Sequence, residues 1–186
     1  MYYEYHQKTS SSITRARGKY GLYYPHYSDE SLLARYYLLE YLFSLFGEVF
    51  LLGKDQYGKP KPIERKAWEN IFWSISHSEH HIAFIVSDRS CGIDIVEYEE
   101  RDDALLALHR EDEYTLLGGR NWYNFYLLWT AKESIIKSYG WIVDDMKDIK
   151  TLKIDEDSVS TFGFHEKIYK IKTERVWTTI LSYTYP

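Results

Sequence analysis

Apolar residues in the stretch NWYNFYLLWTAKESIIKSYG, residues 121–140, recur at the three-and-four spacing of a helix. Trp122, Phe125, Tyr126, Trp129 and Ile136 share one face, and Glu133 falls on that same stripe, where a Leu or Phe is expected. A second helical pattern, SDESLLARYYLLEYLFSLFG (28–47), opens on the cap-type residues Ser28 and Asp29 and stops at Gly47. Three short runs rich in β-branched and aromatic residues, IFWSISHS (71–78), HIAFIVSD (81–88) and CGIDIVEY (91–98), predict adjacent strands of a meander. Residues 53–62, GKDQYGKPKP, carry turn chemistry, and residues 103–117 predict one or two short helices. After the long helix, four alternating runs predict strands, DIKTLKID, STFGFHE, KIYKIKT and RVWTTILSYT, with turns at Asp155–Ser158 and around Glu166. The order is helix then strands, twice over, with no linker between the two passes.

Composition narrows the class. The 186 residues are 45% hydrophobic and 27% charged, enough to bury a core and unlike a disordered chain. Nineteen tyrosines raise the aromatic share to 18%, which reads mainly as core and half-buried strand positions. The lone Cys91 excludes an intramolecular disulfide and a cysteine-based zinc site. The first 21 residues have no apolar core like that of a signal peptide, and no run approaches the roughly 18 apolar residues of a membrane span. A cytoplasmic protein is the expectation, with no membrane partner. A net charge of −5 argues against duplex nucleic acid. The charge is uneven: residues 1–27 hold four Lys or Arg against Glu4, whereas residues 94–113 hold nine carboxylates against Arg101 and Arg110.

Glu133 is the first candidate for chemistry, because a lone ionised carboxylate in a core is costly unless paired or metal-bound. Lys137 stands four residues on, but a helical Glu–Lys pair contributes only about 0.3–0.5 kcal/mol on a solvated face. Lys132 and Lys137 are placed on the rim of that helix. Asp94 shows the same oddity inside an apolar strand run, two residues after Gly92, whose missing side chain permits close backbone approach. Two carboxylates from separate elements could share an Mg²⁺ ion with phosphate oxygens; two unrelated half-exposed acids are the alternative on pattern alone. His77, between Ser76 and Ser78, and Lys59, on the Gly–Pro turn YGKP, could each face an anion.

Taken in order, YGKP, FWSISHS, CGIDIVEYEE and LLWTAKESIIK resemble the 4′-phosphopantetheinyl transferases, most closely the surfactin-synthetase-activating type. The resemblance spans roughly Ser28 to Gly140, and WTAKESIIK is its strongest element. It implies an α+β protein of two similar halves, residues 1–90 and 91–186, related by a pseudo-twofold axis, with the active site in the cleft between them and a monomeric chain. It further implies transfer of phosphopantetheine from coenzyme A to a serine of an apo carrier protein, whether of fatty-acid, polyketide or peptide synthesis, leaving 3′,5′-adenosine bisphosphate. Under this resemblance Asp94 and Glu133 are Mg²⁺ ligands, and Glu133 helps remove the serine proton. Lys137 neutralises phosphate charge, and Arg35, Lys59, Ser76 and His77 contact the nucleotide phosphates.

Two features depart from the family pattern. Val96 stands where a third acidic ligand is frequent, and the segment before the first long helix is short, leaving Arg15, Arg17 and Lys19 as candidates for the adenine side. Lys132 and Arg120 are candidates for a basic patch that meets the carrier. The rival from another class is a non-catalytic coenzyme A or carrier-binding module. A metal-dependent nuclease fits less well, because its lysine commonly follows the acid by two residues on a strand. A zinc site at His77, His80 and His81 is opposed by the alternation of adjacent strand residues.

Overall fold

The computed structural model describes residues 1–48, 51–54, 60–63, 70–140, 146, 148–155, 158–176 and 178–185. Two compact units divide the chain, Met1–Ser90 and Cys91–Pro186, and each sets helices against antiparallel sheet.

In the first unit, β1 (Tyr2–Gln7), β5 (His81–Ser87) and β4 (Phe72–His77) form a three-stranded sheet in the order β1-β5-β4. Helix α1 (Ser10–Tyr20) and helix α2 (Asp29–Phe46) follow β1 in the chain. Ser28 caps α2 by accepting from the Ser31 amide, and Gly47 ends it at φ 70°, a left-handed conformation that glycine adopts without steric cost. Leu32, Leu33, Leu38, Leu39 and Leu42 of α2 are buried in one cluster with Ile82, Phe84 and Val86 of β5. The stretch read from sequence as turn chemistry includes a small antiparallel pair, β2 (Leu52–Lys54) with β3 (Pro60–Pro62). The Leu52 amide ties it to the core by donating to the Tyr24 hydroxyl at 2.6 Å.

The second unit holds a five-stranded sheet in the order β6-β10-β9-β8-β7, built from β6 (Ile93–Glu97), β7 (Lys150–Ile154), β8 (Val159–Phe164), β9 (Lys167–Val176) and β10 (Thr179–Tyr185). A 3₁₀ turn at Asp103–Leu108 and helix α3 (Glu111–Leu116) lead into the long helix α4 (Trp122–Tyr139). Asn121 caps α4 through the Asn124 amide, and Gly140 ends it at φ 80°. Trp122, Phe125, Tyr126 and Ile136 are buried as the apolar spacing predicts, packing with Phe162, Phe164, Ile171 and Ile180 of the sheet.

Three expectations are corrected. The three apolar runs do not form one meander: β4 and β5 pair, but β6 joins β10 in the other sheet. Both edges of β5 are already taken, by β4 and by the N-terminal strand β1, so no edge is left for β6. The run RVWTTILSYT is not one strand, because Arg175 and Val176 complete β9 whereas β10 begins at Thr179, opposite Val176. Lys132 is not on the rim of α4 but 1% exposed.

Candidate carboxylate site on helix α4 and strand β6

The site is built by one close approach. A Cβ placed on Gly92 would lie 1.8 Å from the Ser134 carbonyl oxygen and 2.7 Å from the Ser138 amide nitrogen, so only glycine lets the start of β6 pass this near to α4. Hydrogen bonds to Thr184 hold it there, with the Gly92 amide donating to Oγ1 at 3.1 Å and the Thr184 amide donating to the Gly92 carbonyl at 3.0 Å. Two residues on, Asp94 sits opposite Ser182 of β10. The Ser182 hydroxyl lies 2.8 Å from Thr130 Oγ1 of α4 and 2.8 Å from Thr173 Oγ1 of β9, a buried chain of hydroxyls linking helix to sheet. The sheet face that carries Asp94 therefore faces α4.

Lys137 meets Asp94 there, its Nζ donating to Oδ1 at 2.5 Å. The sequence makes Lys137 the nearest counter-charge for Glu133; in the fold its ammonium reaches across to the strand. Glu133 is 9% exposed, and its Oε1 is buried without a hydrogen-bond partner. Burial pushes the Glu133 carboxyl above the usual range, the Asp94 charge adds to the rise, and Lys137 opposes it only in part. Two carboxylates and one ammonium thus converge with an oxygen left over. Such a donor set suits a hard divalent cation, which favours carboxylate oxygens and relieves both the missing hydrogen bond and the raised pKa. Val96, on the same strand face as Asp94, packs against the apolar cluster of the unit, and Glu97 alternates to the other face.

The remaining candidates for the nucleotide phosphates lie in the first unit or outside the described residues. Ser76 is buried on β4, and His77 ends that strand exposed, opposite Ile82. The Glu30 amide and the Ser28 hydroxyl do most to hold the Glu30 carboxyl below the usual range, and the charges of Lys8 and His77 add to it. Arg35 is 3% exposed, with its guanidinium stacked 4.2 Å from the Tyr27 ring and NH1 donating to the Ser31 carbonyl at 2.9 Å. Its Nε is buried without a partner, and burial lowers its pKa. Lys59 lies outside the described residues.

A sequence model of the 4′-phosphopantetheinyl transferase superfamily matches residues 90–183, which contain Asp94, Glu133 and Lys137. The chain belongs to this superfamily. The 4′-phosphopantetheinyl transferase gsp of Aneurinibacillus migulanus is similar to it, 34% identical over 114 residues, a match covering 59% of this chain and 46% of that relative's own length. Superfamily membership agrees with the motifs GIDIV and WTAKESIIK, and the α+β architecture agrees with the expected fold class.

Sequence reasoning missed one group beside the transferase motif. Lys132, immediately before Glu133, donates to Glu113 Oε2 at 2.8 Å, and the side chains of this pair are 1% and 4% exposed. Burial pushes the Glu113 carboxyl up, but Lys132, Thr151 and the Arg110 amide outweigh it and hold it below the usual range. Glu113 belongs to a run of three acids that reads as solvated surface. The available signal was its place three residues after Arg110, where a helix-opening Glu turns back to accept the Arg110 amide, here at 3.2 Å. His109 was missed as well. It is 5% exposed with both ring nitrogens unpartnered, and burial lowers its pKa to about 4. Among the described residues no helix is long and apolar enough to cross a membrane.

Proposed function

We propose that this protein transfers 4′-phosphopantetheine from coenzyme A to a serine hydroxyl of an apo carrier protein, with Mg²⁺ as its metal. The observation that carries the reading is the buried, unpartnered Glu133 Oε1 close to the Asp94 carboxylate, in a chain of this superfamily. Asp94 and Glu133 would hold the ion, which when bound supplies positive charge to the pyrophosphate oxygens of coenzyme A. Glu133 would also take up the serine proton, as a carboxylate beside the incoming hydroxyl can. The serine oxygen then bonds to the phosphorus that carries pantetheine, and the bond from that phosphorus to the bridging oxygen breaks, releasing 3′,5′-adenosine bisphosphate. Lys137, already within reach of Asp94, neutralises charge on the departing phosphate. Ser76, His77 and Lys59 take the nucleotide phosphates. Arg35, stacked over the Tyr27 ring, joins them through the in-plane N–H groups that stacking leaves available.

The test is to mix the protein with Mg²⁺, coenzyme A and a panel of apo carriers from fatty-acid, polyketide and peptide synthesis, and to weigh each carrier by mass spectrometry. The expected result is a carrier heavier by one phosphopantetheine, with the gain abolished by a chelator. Coenzyme A binding without mass gain on any carrier would overturn catalysis in favour of a binding module. The unaltered Glu133 and Lys137 support the enzyme.

A further inference from the structure

We propose that the buried Lys132–Glu113 pair is a positioning device that sets the axial place and rotation of α4, and so the pose of Glu133 and Lys137. The inference rests on the proposed function. Glu113 collects four donors from three parts of the second unit. Lys132 Nζ of α4 donates at 2.8 Å, the Arg110 amide at the head of α3 at 3.2 Å, and Thr151 of β7 through its amide at 3.2 Å and its hydroxyl at 2.7 Å. A carboxylate held from so many directions has little freedom, and the lysine bonded to it inherits that fixity.

Lys132 and Glu133 are neighbours on one rigid helix, separated by about 100° of rotation and about 1.5 Å of rise. Wherever Lys132 is pinned, Glu133 follows. Apolar packing alone tolerates small slides and rotations of a helix over a sheet, whereas a short charge-assisted hydrogen bond has a defined length and direction. Two apolar residues in this place would hold the units of secondary structure together at least as well, because burying two charges costs desolvation. What they could not supply is direction. A carboxylate site of this kind works only when its side chains are held within about 0.5 Å of the productive geometry.

The test uses Lys132→Met/Glu113→Leu, which removes both charges together and leaves no buried ion alone. Mn²⁺ affinity in the presence of coenzyme A is read by electron paramagnetic resonance, beside the thermal midpoint and the kcat and KM of carrier modification. The double variant is expected to melt near the parent, yet to bind Mn²⁺ about tenfold more weakly and to lose about tenfold or more in kcat, since a misplacement of about 1 Å can cost about 100-fold. KM for coenzyme A is expected to stay within about twofold of the parent, because the loss lies in alignment and not in uniform binding. A folded double variant with parental Mn²⁺ affinity and kcat overturns the proposal. If the double variant does not fold, Thr151→Val decides: it removes one hydroxyl donor to Glu113, and unchanged Mn²⁺ affinity there overturns the proposal equally. A parent that binds Mn²⁺ but modifies no carrier refutes the proposed function and leaves the Mn²⁺ comparison to judge this inference. A parent that binds no Mn²⁺ refutes this inference.

Discussion

Lys137 gives a 2.5 Å hydrogen bond to Asp94 on the neighbouring strand, and Glu133, one helical turn before it, keeps a buried oxygen without a partner. The asymmetry is informative because the two carboxylates start from similar burial, 6% and 9% exposed. Asp94 has its counter-charge in the fold; Glu133 Oε1 has no hydrogen-bond partner.

Glu133→Gln separates stability from activity. The folded state raises the Glu133 pKa, so the ionised form at neutral pH opposes folding, and that cost grows as pH rises through the folded pKa. Removing the charge is expected to leave the thermal midpoint of the metal-free protein unchanged or higher. Carrier modification is expected to fall by about 100-fold or more, the scale of a lost general base. Addition of Mg²⁺ with coenzyme A raises the midpoint of the parent but not that of Glu133→Gln. A variant that keeps full activity sinks the assignment.

Gly92→Ala tests the close approach. The added methyl meets backbone atoms of α4 at 1.8 and 2.7 Å, which no rotamer can relieve, so β6 must move away from the helix. Overpacking of this kind costs roughly 1–3 kcal/mol or more, read as a lower denaturant midpoint. Asp94 moves with the strand, and Mn²⁺ affinity is expected to fall as well. An alanine variant as stable as the parent would mean that the strand has slack here.

His109 makes a pH prediction. An exposed imidazole takes its proton near pH 6.5, the folded one only at about 4, because burial and the Lys132 charge disfavour the cation and Glu113 offsets this in part. The unfolded chain therefore binds the proton first. Stability is insensitive to this group above pH 6.5 and falls as pH drops from 6.5 to about 4, by about 3 kcal/mol in full. Chemical denaturation across that window should give a shallower slope for His109→Gln than for the parent. Parallel slopes would refute the buried neutral ring.

The hydroxyl chain gives a fourth outcome. Ser182 is fully buried between Thr130 and Thr173, 2.8 Å from each, so Ser182→Ala takes a partner from both. Unsatisfied buried hydroxyls cost about 1–3 kcal/mol, and Thr130 keeps one bond, to the Tyr126 carbonyl at 2.8 Å. The expected loss lies toward the lower end of that range by denaturant titration. No loss would mean that Thr130 and Thr173 find other partners.

Much of this protein was legible in the order of its residues. The two long helices announce themselves through local chemistry: the cap at Ser28, the left-handed glycines 47 and 140, and the apolar stripe of Trp122, Phe125, Tyr126 and Ile136. Asp94 and Glu133 were visible because each breaks an apolar pattern, and a carboxylate on a buried stripe demands a reason whatever the fold. Gly92 was visible for the same kind of reason, as a residue defined by what it lacks. Tertiary structure alone decided the partners. Which strand β6 joins depends on an edge of β5 that a distant N-terminal strand covers. Whether Lys132 is surface or core depends on Glu113, nineteen positions earlier, and on a sheet strand beyond the helix. Lys137 turns to Asp94 because packing brings the strand within its reach. Periodicity and capping act over a few residues, so a sequence displays them directly. Pairing and burial are settled by which surfaces compete for one another after the chain has folded back on itself.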